Sequence, residues 1–171
     1  MLGKHLLLNS ITAGLATICL TVVGCTQFVH RTYGSPPPAI TDPAKILALA
    51  DLTLPKDAGA HVSSKPLTGY LEDYYYAYTV TWVTKNKKAT NAFLTQTGDT
   101  LDTLGYVDNS FLDGWLIALD VSNIPEGSKL LNEDFRPPPV NNDVVDGNLS
   151  ILVDAPDFTT IHVGVAAYPN N

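Results

Sequence analysis

Residues 74–83 constrain the fold more than any other stretch of this chain. They are almost entirely aromatic or β-branched, side chains that crowd the preceding turn of a helix and pack well on a pleated surface. A strand is therefore expected there. Alternation puts Tyr74, Tyr76, Tyr78, Val80 and Trp82 on one face, the expected core. Tyr75, Ala77, Thr79, Thr81 and Val83 fall on the other.

Three further stretches have the same period. Residues 114–121 alternate through Trp115, Ile117, Leu119 and Val121. Residues 148–153 do so through Leu149, Ile151 and Val153, and residues 159–167 through Ile161, Val163, Val165 and Ala167. The turn residues 154–157 separate the last two, so an antiparallel hairpin is the natural pairing. Residues 60–63 suggest a short strand. Helical signals are fewer. Asp42 and Pro43 suit an N-cap and first helical position before Ile46, Leu47 and Leu49, and Pro55 stops anything regular. Residues 89–97 place Ala89, Ala92, Phe93 and Gln96 at helical spacing, with Gly98 placed to end the helix. A further helical turn over 101–104, capped by Asp99 or Thr100, precedes Gly105. Residues 122–147 have weak periodicity and hold Pro125, Gly127, three prolines at 137–139, Asn141 and Asn142. A long loop is expected there, with a helical turn over 128–134. The class read from this pattern is α+β: an antiparallel sheet of about four or five strands with one or two short helices on one face.

The first 25 residues follow different rules. Lys4 and His5 give a weakly basic start, residues 6–23 form an apolar run, and Val22, Val23 and Gly24 precede Cys25. That quartet resembles the lipobox of bacterial lipoproteins. The resemblance implies removal of residues 1–24, lipidation (palmitate-type acyl chains) of Cys25, and an extracytoplasmic domain on the cell membrane or outer membrane. Two alternatives stand beside it. The run of 18 residues is at the lower edge of what spans a bilayer as an uncleaved helix, and a cleaved signal could end beside an incidental cysteine. Residues 25–41 then form a tether. Pro36, Pro37 and Pro38 favour extended polyproline II, about 3.1 Å per residue, which would hold the domain (residues 42–171) off the lipid. Two or more acyl chains hold firmly, at about 0.8 kcal/mol per buried methylene.

The chain has 171 residues and a formal charge of −7. Lys4 is the only Lys or Arg before Cys25 and no acid precedes it, so the processed chain is more acidic still. An acidic body repels phosphate backbones, so nucleic acid is not an expected partner. Lys85, Lys87 and Lys88 are the only basic cluster and read as a solvated turn. Of the two cysteines, Cys19 leaves with the signal and Cys25 takes the lipid. The processed domain has no thiol for a disulfide, a nucleophile or a zinc site.

No catalytic signature emerges from the residues. His61 and His162 are the histidines of the expected domain, and no HExxH spacing links any pair. His162 reads as a half-buried strand residue. Asp99, Asp102, Asp108 and Asp113 lack the alternating oxygens, Gly and Glu of a calcium loop, as do residues 143–148. Nucleophile elbows and phosphate loops are absent. Glu72, Asp73, Asp113 and Asp120 offer carboxylates that could pair for hydrolysis, which spacing does not test. Tyr75, opposite the expected core face, is where an aromatic platform for sugars or peptides would begin, although core and cross-strand packing explain the tyrosines as well. The reading is a non-catalytic envelope binding domain with a protein or wall-polymer partner, without metal or cofactor. Its candidate binding residues are Tyr75, Asp113, Asp120 and His162. An envelope hydrolase using Asp113 and Asp120, and a structural or defence role against phage or toxin, are the alternatives.

Overall fold

The computed structural model describes residues 39–64, 74–107, 119–140, 142 and 144–170. The expected anchor at Cys25, the prolines of the tether and candidate Asp113 lie outside the described residues.

Six strands form one sheet: β1 (His61–Ser64), β2 (Tyr76–Val83), β3 (Gly105–Tyr106), β4 (Lys129–Phe135), β5 (Val145–Val153) and β6 (Thr160–Pro169). Their order is β1-β2-β6-β5-β4-β3, and every neighbouring pair is antiparallel. Two short helices, α1 (Pro43–Ala48) and α2 (Lys87–Leu94), complete the described elements. The α+β class and antiparallel sheet are as expected. The strand count among the described residues is six rather than four or five.

β2 begins at Tyr76, and its register against β6 fixes both faces of the sheet. Tyr78 lies opposite Val165, Val80 opposite Val163, and Trp82 opposite Ile161. β5 continues this face with Leu149, Ile151 and Val153. These side chains are buried, as are Ile46 and Leu47 of α1 and Phe93 and Leu94 of α2. Asp42 caps α1 by accepting from the Ala44 N–H at 3.0 Å, and the Ile40 N–H just before it donates to Tyr78 Oη at 3.1 Å. The expected core face is thus the face beneath the helices.

The opposite face is buried as well, but differently. Leu152 and Leu119 pack there with Val107, Val121, Ile124 and Leu130. This second cluster explains two departures from the sequence pattern. Residues 128–134, expected as a helical turn, are mostly strand β4. Leu130 pairs with Leu152 on one face and Leu131 with Ile151 on the other. With both faces apolar, adjacent leucines replace alternation. Leu119 and Val121, expected in a strand over 114–121, are irregular backbone covering Leu152, while residues 114–118 lie outside the described residues. Residues 101–104 form the single turn expected, closed by the Thr103 and Leu104 N–H groups to Thr100 O at 3.1 and 3.2 Å, and lead into the two-residue β3.

The β5–β6 hairpin is present, closed by the Asp154 N–H to Thr160 O at 3.0 Å. α2 starts at Lys87, two residues before the expected position. Asn86 caps it, accepting from the Ala89 N–H at 3.1 Å, and Gly98, at φ +85°, follows its last turn. Gly147 of β5 faces Phe135 of β4. A Cβ there would fall 2.6 Å from the Phe135 ring, so the ring occupies the space the glycine leaves.

Candidate functional site

A cavity of about 510 Å³ opens at the end of β2. Three segments build it. β2 delivers Trp82 and Val83, and the turn after it Thr84 and Lys85. α2 contributes Ala89, Ala92 and Phe93, with Gln96 just beyond its end. The third wall is the loop of residues 53–58, where the Ala58 N–H turns back to Pro55 O at 3.0 Å. Gln96 fixes that wall through both ends of its amide. Its Oε1 accepts from the Thr53 N–H at 2.7 Å, and its Nε2 donates to Thr53 O at 3.2 Å.

Two buried rings underlie the floor, Trp82 and Phe93, each 2% exposed. Trp82 and Phe93 meet edge to face, ring centres 4.8 Å apart at 81°, an arrangement that suits opposed quadrupoles. Trp82 Nε1 is buried without a hydrogen-bond partner among the described residues. Val83, the last residue of β2, is 67% exposed beside the opening. The rim is charged: Lys56, Asp57 and Lys85 line it, with Lys85 Nζ 4.0 Å from Asp57 Oδ2 and both well exposed. So loose an exposed pair leaves the lysine free to meet another anion. The size falls within the range of small-ligand sites, and apolar walls with a few polar groups are their usual lining.

The other face of the sheet carries a buried polar row. His162 of β6 lies between Thr81 and Leu152 in register. Its Nδ1 is 2.9 Å from Thr81 Oγ1 and its Nε2 is 3.0 Å from Asp154 Oδ2. The carboxylate at Nε2 calls for a proton on that nitrogen, while the threonine hydroxyl at Nδ1 can either donate or accept. Neighbouring Ser150 Oγ lies 2.7 Å from Asn132 Oδ1 and 3.0 Å from Asn148 Oδ1. Both partners are amide oxygens, which accept, so the two share the single proton that the Ser150 hydroxyl donates.

The candidate residues from the sequence fare unequally. His162 is half-buried at the centre of this row, as expected, but in a hydrogen-bonded chain rather than alone. Asp120 reaches the same face through its backbone: its N–H donates to Thr79 Oγ1 at 2.7 Å, and it is itself exposed. Tyr75 is only 4% exposed, so it offers no open aromatic platform. Trp82, Lys85 and Gln96 carry the cavity, and none was a candidate. Trp82 reads as core because it is core, and only the approach of residues 53–58, far away in sequence, turns its edge into a wall. Among the described residues no group of three or more His, Cys, Asp or Glu could hold a metal ion. No described helix is long and apolar enough to cross a membrane. No protein-family model, no curated protein and no solved structure matches this chain.

Proposed function

We propose that this chain is an envelope lipoprotein, tethered through Cys25, whose domain is a non-catalytic binding module with its ligand site at Trp82. The observation that carries the binding reading is the cavity of about 510 Å³, with apolar walls over two buried aromatic rings, a fixed loop wall and a charged rim. Among the described lining residues Asp57 is the one carboxylate, so these residues offer no carboxylate pair for glycoside hydrolysis. The tether rests on the lipobox-like residues 22–25 and the prolines at 36–38.

Two measurements test the two halves. Cys25→Ser should move the full-length protein out of the membrane fraction and remove the acyl mass from the intact protein; unchanged sedimentation removes the anchor. Ala92→Phe, at an exposed helix position on the cavity wall, should fill the cavity without unfolding the domain. A fluorescent apolar probe that binds wild type and the variant equally removes the binding site.

One observation favours a second reading, an envelope hydrolase. Thr81, His162 and Asp154 form a hydroxyl–imidazole–carboxylate chain, the order of groups that activates a nucleophilic hydroxyl. A fluorophosphonate reagent that labels wild type and not Thr81→Val would establish it; no labelling of either leaves the chain as a structural link.

A further inference from the structure

We infer that the cavity at the end of β2 takes an amphipathic anion: one apolar chain against Leu54, Pro55, Ala89 and Ala92, above the buried rings of Trp82 and Phe93, and a carboxylate or phosphate head at Lys56 and Lys85. This rests on the binding reading given above and specifies the ligand's chemistry. The cavity has a clear division of polarity. Leu54, Pro55, Trp82, Ala89, Ala92 and Phe93 supply its apolar lining. The Gln96 amide, which could have served a polar ligand, is committed at both ends to Thr53. Trp82 Nε1, though unpartnered among the described residues, is buried beneath the floor, so the hydrogen-bonding side chains open to a ligand concentrate at the mouth. A volume of about 510 Å³ accommodates roughly ten to twenty non-hydrogen atoms, the size of a medium acyl chain or a fused aromatic ring.

The charge of the mouth selects the head. The chain carries 17 acids and 10 Lys plus Arg, yet among the described residues the rim holds two lysines against one aspartate. Lys87 and Lys88 open the adjacent helix and add to the local positive field. Lys56 is exposed and has no ion pair among the described residues. Lys85 is held only by a 4.0 Å contact to an aspartate as exposed as itself. A cationic head would meet two lysines, and the Trp82–Phe93 edge contact already occupies aromatic surface that a quaternary ammonium would need. A neutral head would gain only uncharged-acceptor hydrogen bonds from the lysines. An anion adds charge-assisted contacts to the same apolar burial.

The test uses the full chain in nanodiscs of neutral lipid, with empty nanodiscs as the blank, and three probes of equal chain length: octanoate, octan-1-ol and octylammonium. Calorimetric titration should show octanoate binding at least fivefold more tightly than octanol, and octylammonium more weakly than either. The octanoate affinity should fall as salt rises from 20 to 200 mM, roughly the range over which exposed charges become screened, while octanol stays constant. Lys56→Gln with Lys85→Gln, both at exposed positions, should bring octanoate to the octanol value and leave octanol unchanged. Equal binding of octanoate and octanol by wild type, sensitive to Ala92→Phe, would overturn the anion specificity and leave the cavity as a binding site. Binding of none of the three above the blank, or binding indifferent to Ala92→Phe, would overturn the site and the inference together.

Discussion

Tyr76 stands under the helices with its ring stacked on Tyr78, centres 5.4 Å apart. Its hydroxyl is buried and has no hydrogen-bond partner among the described residues. Burial, and secondarily the Tyr78 phenol, push its pKa up to about 12 from the ordinary 10. A phenol that keeps its proton longer when folded stabilises the fold fully below pH 10. That contribution is lost as pH rises through about 12, because the unfolded chain releases the proton first. Wild type should therefore lose stability between pH 10 and 12. Tyr76→Phe should keep the ring stack and remove both the unpaired hydroxyl and its titration. Its stability at pH 7 should be equal to wild type or higher by about 0.5–1 kcal/mol, and its decline between pH 10 and 12 should be shallower. Urea midpoints of the two proteins at pH 7, 10 and 11.5 check this. A variant less stable by more than about 1 kcal/mol at pH 7 would show that the hydroxyl has a partner after all.

At the scale of elements, the join between α2 and the β5–β6 hairpin rests on one fully buried hydroxyl. Thr90 Oγ1 donates to Phe158 O at 2.7 Å and lies 2.8 Å from Thr84 Oγ1, which itself reaches Thr159 O at 3.0 Å. Phe158 has φ +56°, costly for a residue with a Cβ, and Lys87 Nζ sits 4.8 Å from its ring centre. Thr90→Val keeps the shape and removes the donor, leaving a buried carbonyl without it. The expected loss is about 1–2 kcal/mol, recovered largely by Thr90→Ser, with urea unfolding as the measurement. This join is also where the sequence stops being legible. β2, β5, β6 and the caps at Asp42 and Asn86 follow from local rules: period two, side-chain caps, and a turn between apolar runs. Strand β4 is hidden because Leu130 and Leu131 serve opposite apolar faces, which erases the period that marks a strand. The pairing of β2 with β6, across some eighty residues, has no local signal at all. The cavity depends on that long-range packing too, since residues 53–58 meet Gln96 more than forty positions later. His162 was visible as a candidate because histidine on a strand is conspicuous, whereas its partners Thr81 and Asp154 were not, because register alone brings them together.

For the whole molecule, the proposed division into anchor and body makes a quantitative demand. All the described strands, both helices and the buried residues on the two sides of the sheet lie after residue 39. The earliest buried hydrophobic residue among them is Ile46. If the preceding residues act only as lipid attachment and spacer, they make no contribution to the cooperative unit. A chain lacking residues 1–38 should then unfold in one transition at the midpoint of the detergent-extracted full chain, within about 2 °C. For a body of this size 1 kcal/mol corresponds to about 4 °C, so such agreement bounds the tether's contribution below about 0.5 kcal/mol. The same truncated chain should remain in the supernatant when membranes are sedimented. A midpoint lower by 4 °C or more would make the tether part of the fold, and the spacer role assigned to Pro36, Pro37 and Pro38 would fail with it. Sedimentation of the truncated chain with membranes would instead place a membrane-binding surface on the body, making Cys25 one attachment of two.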